Sequence, residues 1–250
     1  MLNNYLVIDF DGVICDSTYE CLVVSYNAWQ KYNNLEKRKY KVSDFDINYI
    51  EKFKYLRPYV KGAGEYLVLF EIMEYRKIND CSLSQYNEVL SSIKDKLVDF
   101  KKVFKLEREI LRKKNYEDWL NLHILYDDVI KFMERFRKEK KLFIATLKDK
   151  KSINILLDSV NFHISKENIY DASQIQSKLD GLNLIRKNYN IQINEILFID
   201  DNIDHLIDPN KSGYNSFLAY WCNPKEDFKL KAINNNIKIL NNVNDYKKYA

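Results

Sequence analysis

A chain of 250 residues, 46% hydrophobic and 30% charged, can bury one large core or two modest ones. Forty Lys and Arg against thirty-six Asp and Glu leave a formal charge of +4, too evenly mixed for the basic footprint of a nucleic-acid binder. Apolar runs such as Tyr66 to Phe70 fall far short of the roughly 20 residues needed to cross a bilayer, so no membrane span is expected.

Met1 to Asn4 carry no charged side chain and Asp9 follows soon after, which does not suit a secretory signal; a cytoplasmic protein is expected. Cys15, Cys21, Cys81 and Cys222 show no CxxC spacing and read as reduced thiols. His123, His163 and His205 stand apart without metal-site spacing and read as structural residues. Five Gly and three Pro leave no room for a long flexible linker.

In chain order, Tyr5-Leu6-Val7-Ile8 is a short, β-branched apolar run of the kind buried on both faces of a parallel sheet, and it stops at Asp9-Phe10-Asp11-Gly12. Ser17-Thr18-Tyr19-Glu20 has the spacing of a capping box and predicts a helix over 17–31. From 46 to about 120 apolar positions recur every three or four residues, including a long stretch over 84–113, and no strand is expected. Asp127-Asp128 predict the cap of a helix running to Lys138, and Leu142 to Ala145 a second buried strand ending at Thr146. Helices near 150–160 and 176–189, a strand over 196–199, a helix after Asn202 and a strand over 216–219 continue the alternation, with a last strand over 237–240.

This pattern predicts an α/β fold, a Rossmann-like parallel sheet flanked by helices, with an all-α domain inserted after the first strand. The expected domains are 1–14 with 126–250, and 15–125.

Side chains alternate along a strand, so Asp9 and Asp11 leave the first strand on one side while Phe10 points away. Gly12 lets the chain turn, at the strand end where open α/β sheets bind ligands. A second acidic cluster, Asp200-Asp201-Asn202-Ile203-Asp204, ends another apolar strand; if the two strands are neighbours, their tips meet. Carboxylates packed within a few ångströms repel by about 1 kcal/mol even in water, so such a cluster calls for a cation. Oxygen-only donors point to Mg²⁺, held by Asp9, Asp200 and a backbone carbonyl, with Asp11 and Asp204 completing the acidic set. Thr146, a hydroxyl at a strand end, and Lys178, at the start of the helix before the acidic strand, suit a phosphoryl site.

The order Asp9-x-Asp11-Gly12, Thr146, Lys178, then Asp200 with Asp204 resembles the four motifs of the haloacid dehalogenase superfamily, and the text from Asp9 to Ser17 is similar to its phosphatases and phosphomutases. The resemblance implies that the inserted helices are the family's cap. It also implies that Asp9 attacks phosphorus, that Asp11 serves as acid and then base, and that Thr146 binds the phosphoryl group. Lys178 would offset charge, Asp200 would hold Mg²⁺ and Asp204 would lie behind it. Two positions depart from the pattern: Ile199 stands where the family often has Gly, and Leu147 where a polar residue is common.

The expected activity is Mg²⁺-dependent hydrolysis of a small phosphorylated metabolite. Within the insertion, the Arg57 to Gly64 segment offers Arg57 and Lys61 to an anionic substrate, whereas Tyr26, Trp29, Tyr66, Phe70 and Phe104 sit at helical spacing and read as packing. A mutase of the β-phosphoglucomutase type shares the same motifs, and a non-catalytic binding protein is a third reading. A two-component receiver domain is disfavoured because its phosphorylated aspartate lies on a later strand than its acidic pair. Nothing in the sequence sets the oligomeric state.

Overall fold

The computed structural model describes residues 4–222 and 225–248. Its contacts divide the chain into two units, Met1–Asp16 with Ile124–Ala250, and Ser17–His123.

The first unit starts with β1 (Tyr5–Ile8), whose Leu6, Val7 and Ile8 are fully buried, and the chain leaves through a short strand β2 (Cys15–Asp16). The regular structure of the second unit is helical: α1 (Thr18–Tyr32), α2 (Ile47–Leu56), α3 (Tyr66–Phe70), which runs on into a π-helical segment Glu71–Arg76, α4 (Leu83–Ser92), α5 (Leu97–Lys114) and α6 (Tyr116–Asn121). The chain re-enters the first unit through β3 (Ile124–Leu125), paired antiparallel with β2. Then follow α7 (Asp127–Lys138), β4 (Leu142–Ala145), α8 (Lys150–Asp158), β5 (Ile169–Tyr170), α9 (Lys178–Tyr189), β6 (Ile196–Asp200), α10 (Ile203–Lys211), β7 (Asn215–Ala219), α11 (Glu226–Asn234) and β8 (Lys238–Leu240).

Six strands form one parallel sheet in the order β5-β4-β1-β6-β7-β8; the alternation predicts the parallel sheet and five of its strands, but not β5. A central strand is covered on both faces, which is why β1, β4 and β6 read as unbroken apolar runs. The chain builds outward from β1 to β5 and then returns to the other side of β1 with β6, so strand order reverses beside β1, the place where such sheets bind ligands. Register aligns Ile8 with Ile144 and Ile199, bringing the residues after the β1 and β4 ends beside the last residue of β6. The flanking helices pack by apolar stripes; in α7 Val129, Phe132, Met133 and Phe136 recur at helical spacing and are buried. None of the four cysteines, all among the described residues, is in a disulfide. Among the described residues, no helix is long and apolar enough to cross a membrane.

The helical unit corrects two expectations. Ser17 stands at the N-cap of α1, but its side chain makes no capping bond. Glu20 instead takes Arg108 Nε at 2.6 Å and Nη2 at 3.0 Å, with both residues buried, because a deep carboxylate gains more from a bidentate guanidinium than from one amide. Leaving either member alone would cost about 3–5 kcal/mol. The 84–113 stretch is two helices, α4 and α5, broken by a 3₁₀ turn at Lys94–Lys96. The aromatic residues at helical spacing do pack: Tyr66 stacks on Phe104 at 5.1 Å and on Phe53 at 6.0 Å.

Candidate active site

Four strand-end or helix-start positions of the first unit converge. Asp9 follows β1 and its amide bonds Ile199 O at 2.9 Å, tying the tip of β1 to β6. Asp9 Oδ1 accepts from the Phe10 amide at 2.7 Å and lies 2.6 Å from Lys178 Nζ. Lys178 also lies 3.0 Å from Asp200 Oδ2 and donates to Ala145 O at 2.9 Å. All three charged side chains are at least nine-tenths buried. Two features of α9 aim this lysine. Ser177 and Asp180 form a capping box that starts the helix at Lys178. Gly181 has no Cβ; one would approach Ile175 to 3.1 Å and Ala145 to 3.5 Å, so glycine lets α9 lie close to the end of β4.

His205 completes the cluster. Its Nδ1 lies 3.2 Å from Asp200 Oδ1, an oxygen that also accepts from the Asn202 amide at 2.9 Å. Ligand atoms of Asp9, Asp200 and His205 all lie within 4.8 Å of one another. Thr146 is buried at the end of β4, its Oγ1 accepting from the Lys148 amide at 3.3 Å.

The electrostatics follow from burial. Loss of water pushes the Asp9 carboxyl up, Lys178 opposes this, Asp200 adds to it, and the net shift is upward. Asp200 is buried too, but Lys178 and His205 overcome the burial and hold it well below the usual carboxylate range. Burial pulls Lys178 down, yet the two carboxylates raise it, so it stays an ammonium. His205 is likewise raised by Asp200 against its burial.

The residues fit a hard divalent cation. Asp9 Oδ2 accepts no hydrogen bond among the described residues, and the buried Asp200 Oδ2, 3.0 Å from the Lys178 ammonium, keeps acceptor capacity that is not met. A cation between two such carboxylates would relieve both their repulsion and that unmet acceptor.

The acidic set differs from the sequence reading at two residues. The Asp11 side chain is not in this cluster: its Oδ1 pairs with the fully buried Lys148 ammonium at 3.1 Å. Asp204 is also outside it, because Lys231 of α11 draws its Oδ1 away, while its amide bonds the Asn202 side chain that caps α10. Asp201 takes a different place. A Cβ at Gly12, where φ is +80°, would collide with Asp201 Oδ2, so the turn after Asp11 needs glycine for both its backbone angle and its neighbour.

Lys148 is absent from the sequence reading, and the expectation that His205 is an ordinary structural residue is corrected by its place beside Asp200. The available signals are positional: His205 lies in the first turn of the helix that starts three residues beyond Asp200, and Lys148 two residues beyond Thr146. Arg57 and Lys61 belong to the helical unit, Arg57 in a 3₁₀ turn after α2. The Lys61 amide bonds Glu65 Oε2 at 2.9 Å. Gly64 serves packing there, since a Cβ would strike Leu97 O at 2.5 Å.

A strand-ordered α/β unit with Asp9, Thr146, Lys178 and Asp200 gathered at the sheet's reversal point defines a class of hydrolase fold. A family profile described as haloacid dehalogenase-like hydrolase matches residues 4–207, and the chain belongs to that family. Solved structures of similar fold include a haloacid dehalogenase-like family hydrolase from Streptococcus pneumoniae, 14% identical, with a TM-score of 0.63 over 100% of this chain and 99% of that one. A hydrolase from Pseudomonas syringae is 14% identical, with a TM-score of 0.61 over 98% and 97%. A structure described as a predicted phosphoglycolate phosphatase from Haemophilus somnus is 16% identical, with a TM-score of 0.59 over 98% and 97%. No curated protein matches the chain in sequence.

Proposed function

We propose that this protein hydrolyses the phosphate monoester of a small metabolite through a phosphate ester of Asp9. The observation that carries this reading is the state of the Asp9 carboxylate: Oδ1 is clamped by Lys178 and the Phe10 amide, while Oδ2 accepts no hydrogen bond among the described residues. A carboxylate held at one oxygen presents the other as a nucleophile in a fixed direction.

In the first step Asp9 Oδ2 bonds to phosphorus as the ester P–O bond breaks, and Asp11 gives its proton to the departing alkoxide. In the second, Asp11 takes a proton from water, the water oxygen bonds to phosphorus, and the P–Oδ2 bond breaks to release phosphate and restore Asp9. Lys148, 3.1 Å from Asp11, fixes that carboxylate. The Thr146 hydroxyl donates to a phosphoryl oxygen and the Lys178 ammonium offsets the charge that builds around Asp9. Asp9 and Asp200 would hold Mg²⁺, which neutralises phosphoryl charge when bound. His205 orients Asp200.

The helical unit, inserted between β2 and β3, is proposed as the cap that selects substrate, with Arg57 and Lys61 as its cationic candidates. Four cysteines outside any disulfide are in keeping with a reducing, cytoplasmic setting.

The test is hydrolysis of p-nitrophenyl phosphate, followed by a panel of phosphorylated metabolites in which phosphoglycolate stands first because of the neighbour described by that substrate. Activity with Mg²⁺ that EDTA removes and Mg²⁺ restores is expected. Turnover unaffected by EDTA would contradict the metal assignment, and inertness across the panel would contradict the hydrolase reading.

A further inference from the structure

In the proposed reaction Asp11 moves the proton, so the turn that carries it decides where its carboxyl group is aimed. Residues 10–15 close that turn on themselves. The Phe10 carbonyl accepts from the Ile14 amide at 2.9 Å and from the Cys15 amide at 3.0 Å, and the Gly12 amide bonds Cys15 O at 2.8 Å. Phe10, Val13, Ile14 and Cys15 are fully buried, so carbonyls that point away from the turn need partners from elsewhere in the chain.

Two such partners are present. Ile14 O accepts from the Tyr126 amide at 2.9 Å, a backbone bond that does not depend on which side chain stands at 126. Val13 O accepts from Trp221 Nε1 at 3.2 Å, across 208 positions of sequence. This second bond exists only because residue 221 has an indole, whose single polar atom is a donor.

Trp221 is itself held firmly. It stands two residues beyond β7, which pairs with β6 so that Leu218 lies opposite Asp200; the half-buried indole therefore leaves the end of the sheet that carries the site. The preceding Tyr220 amide bonds Leu240 O at 2.8 Å, and the following Cys222 Sγ donates to Ala219 O at 3.5 Å. Lys148 holds the Asp11 carboxylate at 3.1 Å, and Trp221 holds the backbone two residues further on.

We propose that Trp221 is a positioning residue for Asp11: its indole N–H fixes the turn that aims the Asp11 carboxyl group at the departing oxygen. The inference rests on the reading of Asp11 as proton donor. With its one donor directed to Val13, the indole acts through the turn and not on substrate.

The test compares Trp221→Phe, which keeps a ring but lacks the N–H, with the parent on two esters. p-Nitrophenolate departs with little help from an acid, whereas phenolate needs its proton, and kcat/KM reports the step in which either leaves. With the turn slackened, kcat/KM is expected to fall by about tenfold for phenyl phosphate and by no more than about twofold for p-nitrophenyl phosphate. In an Asp11→Asn background Trp221→Phe should leave the ratio of the two esters unchanged, because no acid remains to be aimed.

Equal falls on both esters, no fall on either, or a shifted ratio in the Asp11→Asn background would overturn the positioning role while leaving hydrolysis intact. A parent inert toward both esters would overturn the hydrolase reading, and this one with it. Misfolding of part of the sample lowers both rates alike and does not move the ratio. Exchange of the Trp221 indole proton in the parent needs no variant: slow exchange is expected, and exchange at the rate of an exposed indole would overturn the anchor.

Discussion

Asp9→Asn is expected to remove turnover of p-nitrophenyl phosphate, by about 10⁴-fold or more, while leaving the fold at least as stable as the parent. Asparagine has the same shape but no nucleophilic carboxylate. The stability half of this expectation comes from the sign of the Asp9 shift. Burial, the largest influence, raises its pKa above the ordinary value, so the folded state prefers the neutral side chain and holding a carboxylate there at neutral pH costs stability. An amide lacks that cost. Steady-state kinetics and urea unfolding on the same preparations check both halves. Retained activity would remove Asp9 as the nucleophile, whereas lost activity with a collapsed fold would leave the role of its charge unsupported.

Lys178→Met should damage both properties. The ammonium lies 2.6 Å from Asp9 and 3.0 Å from Asp200 in a fully buried setting, and without it two carboxylates face one another with no cation of the chain between them. Leaving buried charges uncompensated costs about 3–5 kcal/mol, read as a lower urea midpoint at neutral pH. The loss of charge stabilisation around phosphorus should lower kcat by about 10²–10³-fold. The stability loss should shrink as pH falls through the carboxylate range, because protonating Asp9 removes the repulsion. A variant as stable as the parent would contradict the clamp.

Much of the core was legible in the sequence for a physical reason. A strand buried on both faces announces itself as an apolar run, so β1, β4, β6 and β7 stand out, and the functional groups at their ends inherit those positions. The ribbon β2-β3 and the edge strand β5 are two residues long each and leave no periodic trace. Helix α11 leaves no clear stripe in the sequence although its apolar residues include the buried Phe228 and Ala232, because Leu230 and Ile233, both exposed, blur it.

The site divides in the same way. Asp9, Thr146, Lys178 and Asp200 could be placed because each follows a strand or opens a helix. Partner choice could not, since it depends on residues distant in sequence. Glu20 fits a local capping box, yet Arg108, 88 positions away, takes it. Asp204 lies four residues beyond Asp200, yet its carboxylate pairs with Lys231, 27 positions away, and is not in the cluster. His205 is a local partner, five residues beyond Asp200, and escapes notice because a lone histidine shows no metal-site spacing.

The most direct measurement is isolation of the covalent phosphoenzyme. The chain is mixed with a ³²P-labelled phosphate monoester and Mg²⁺, quenched in acid, treated with hydroxylamine and digested for peptide mapping. Label released by hydroxylamine, with a hydroxamate formed at Asp9 and none in Asp9→Asn or with EDTA present, is the predicted result. Hydrolysis that proceeds without any labelled protein, or with the label on another residue, would contradict the account.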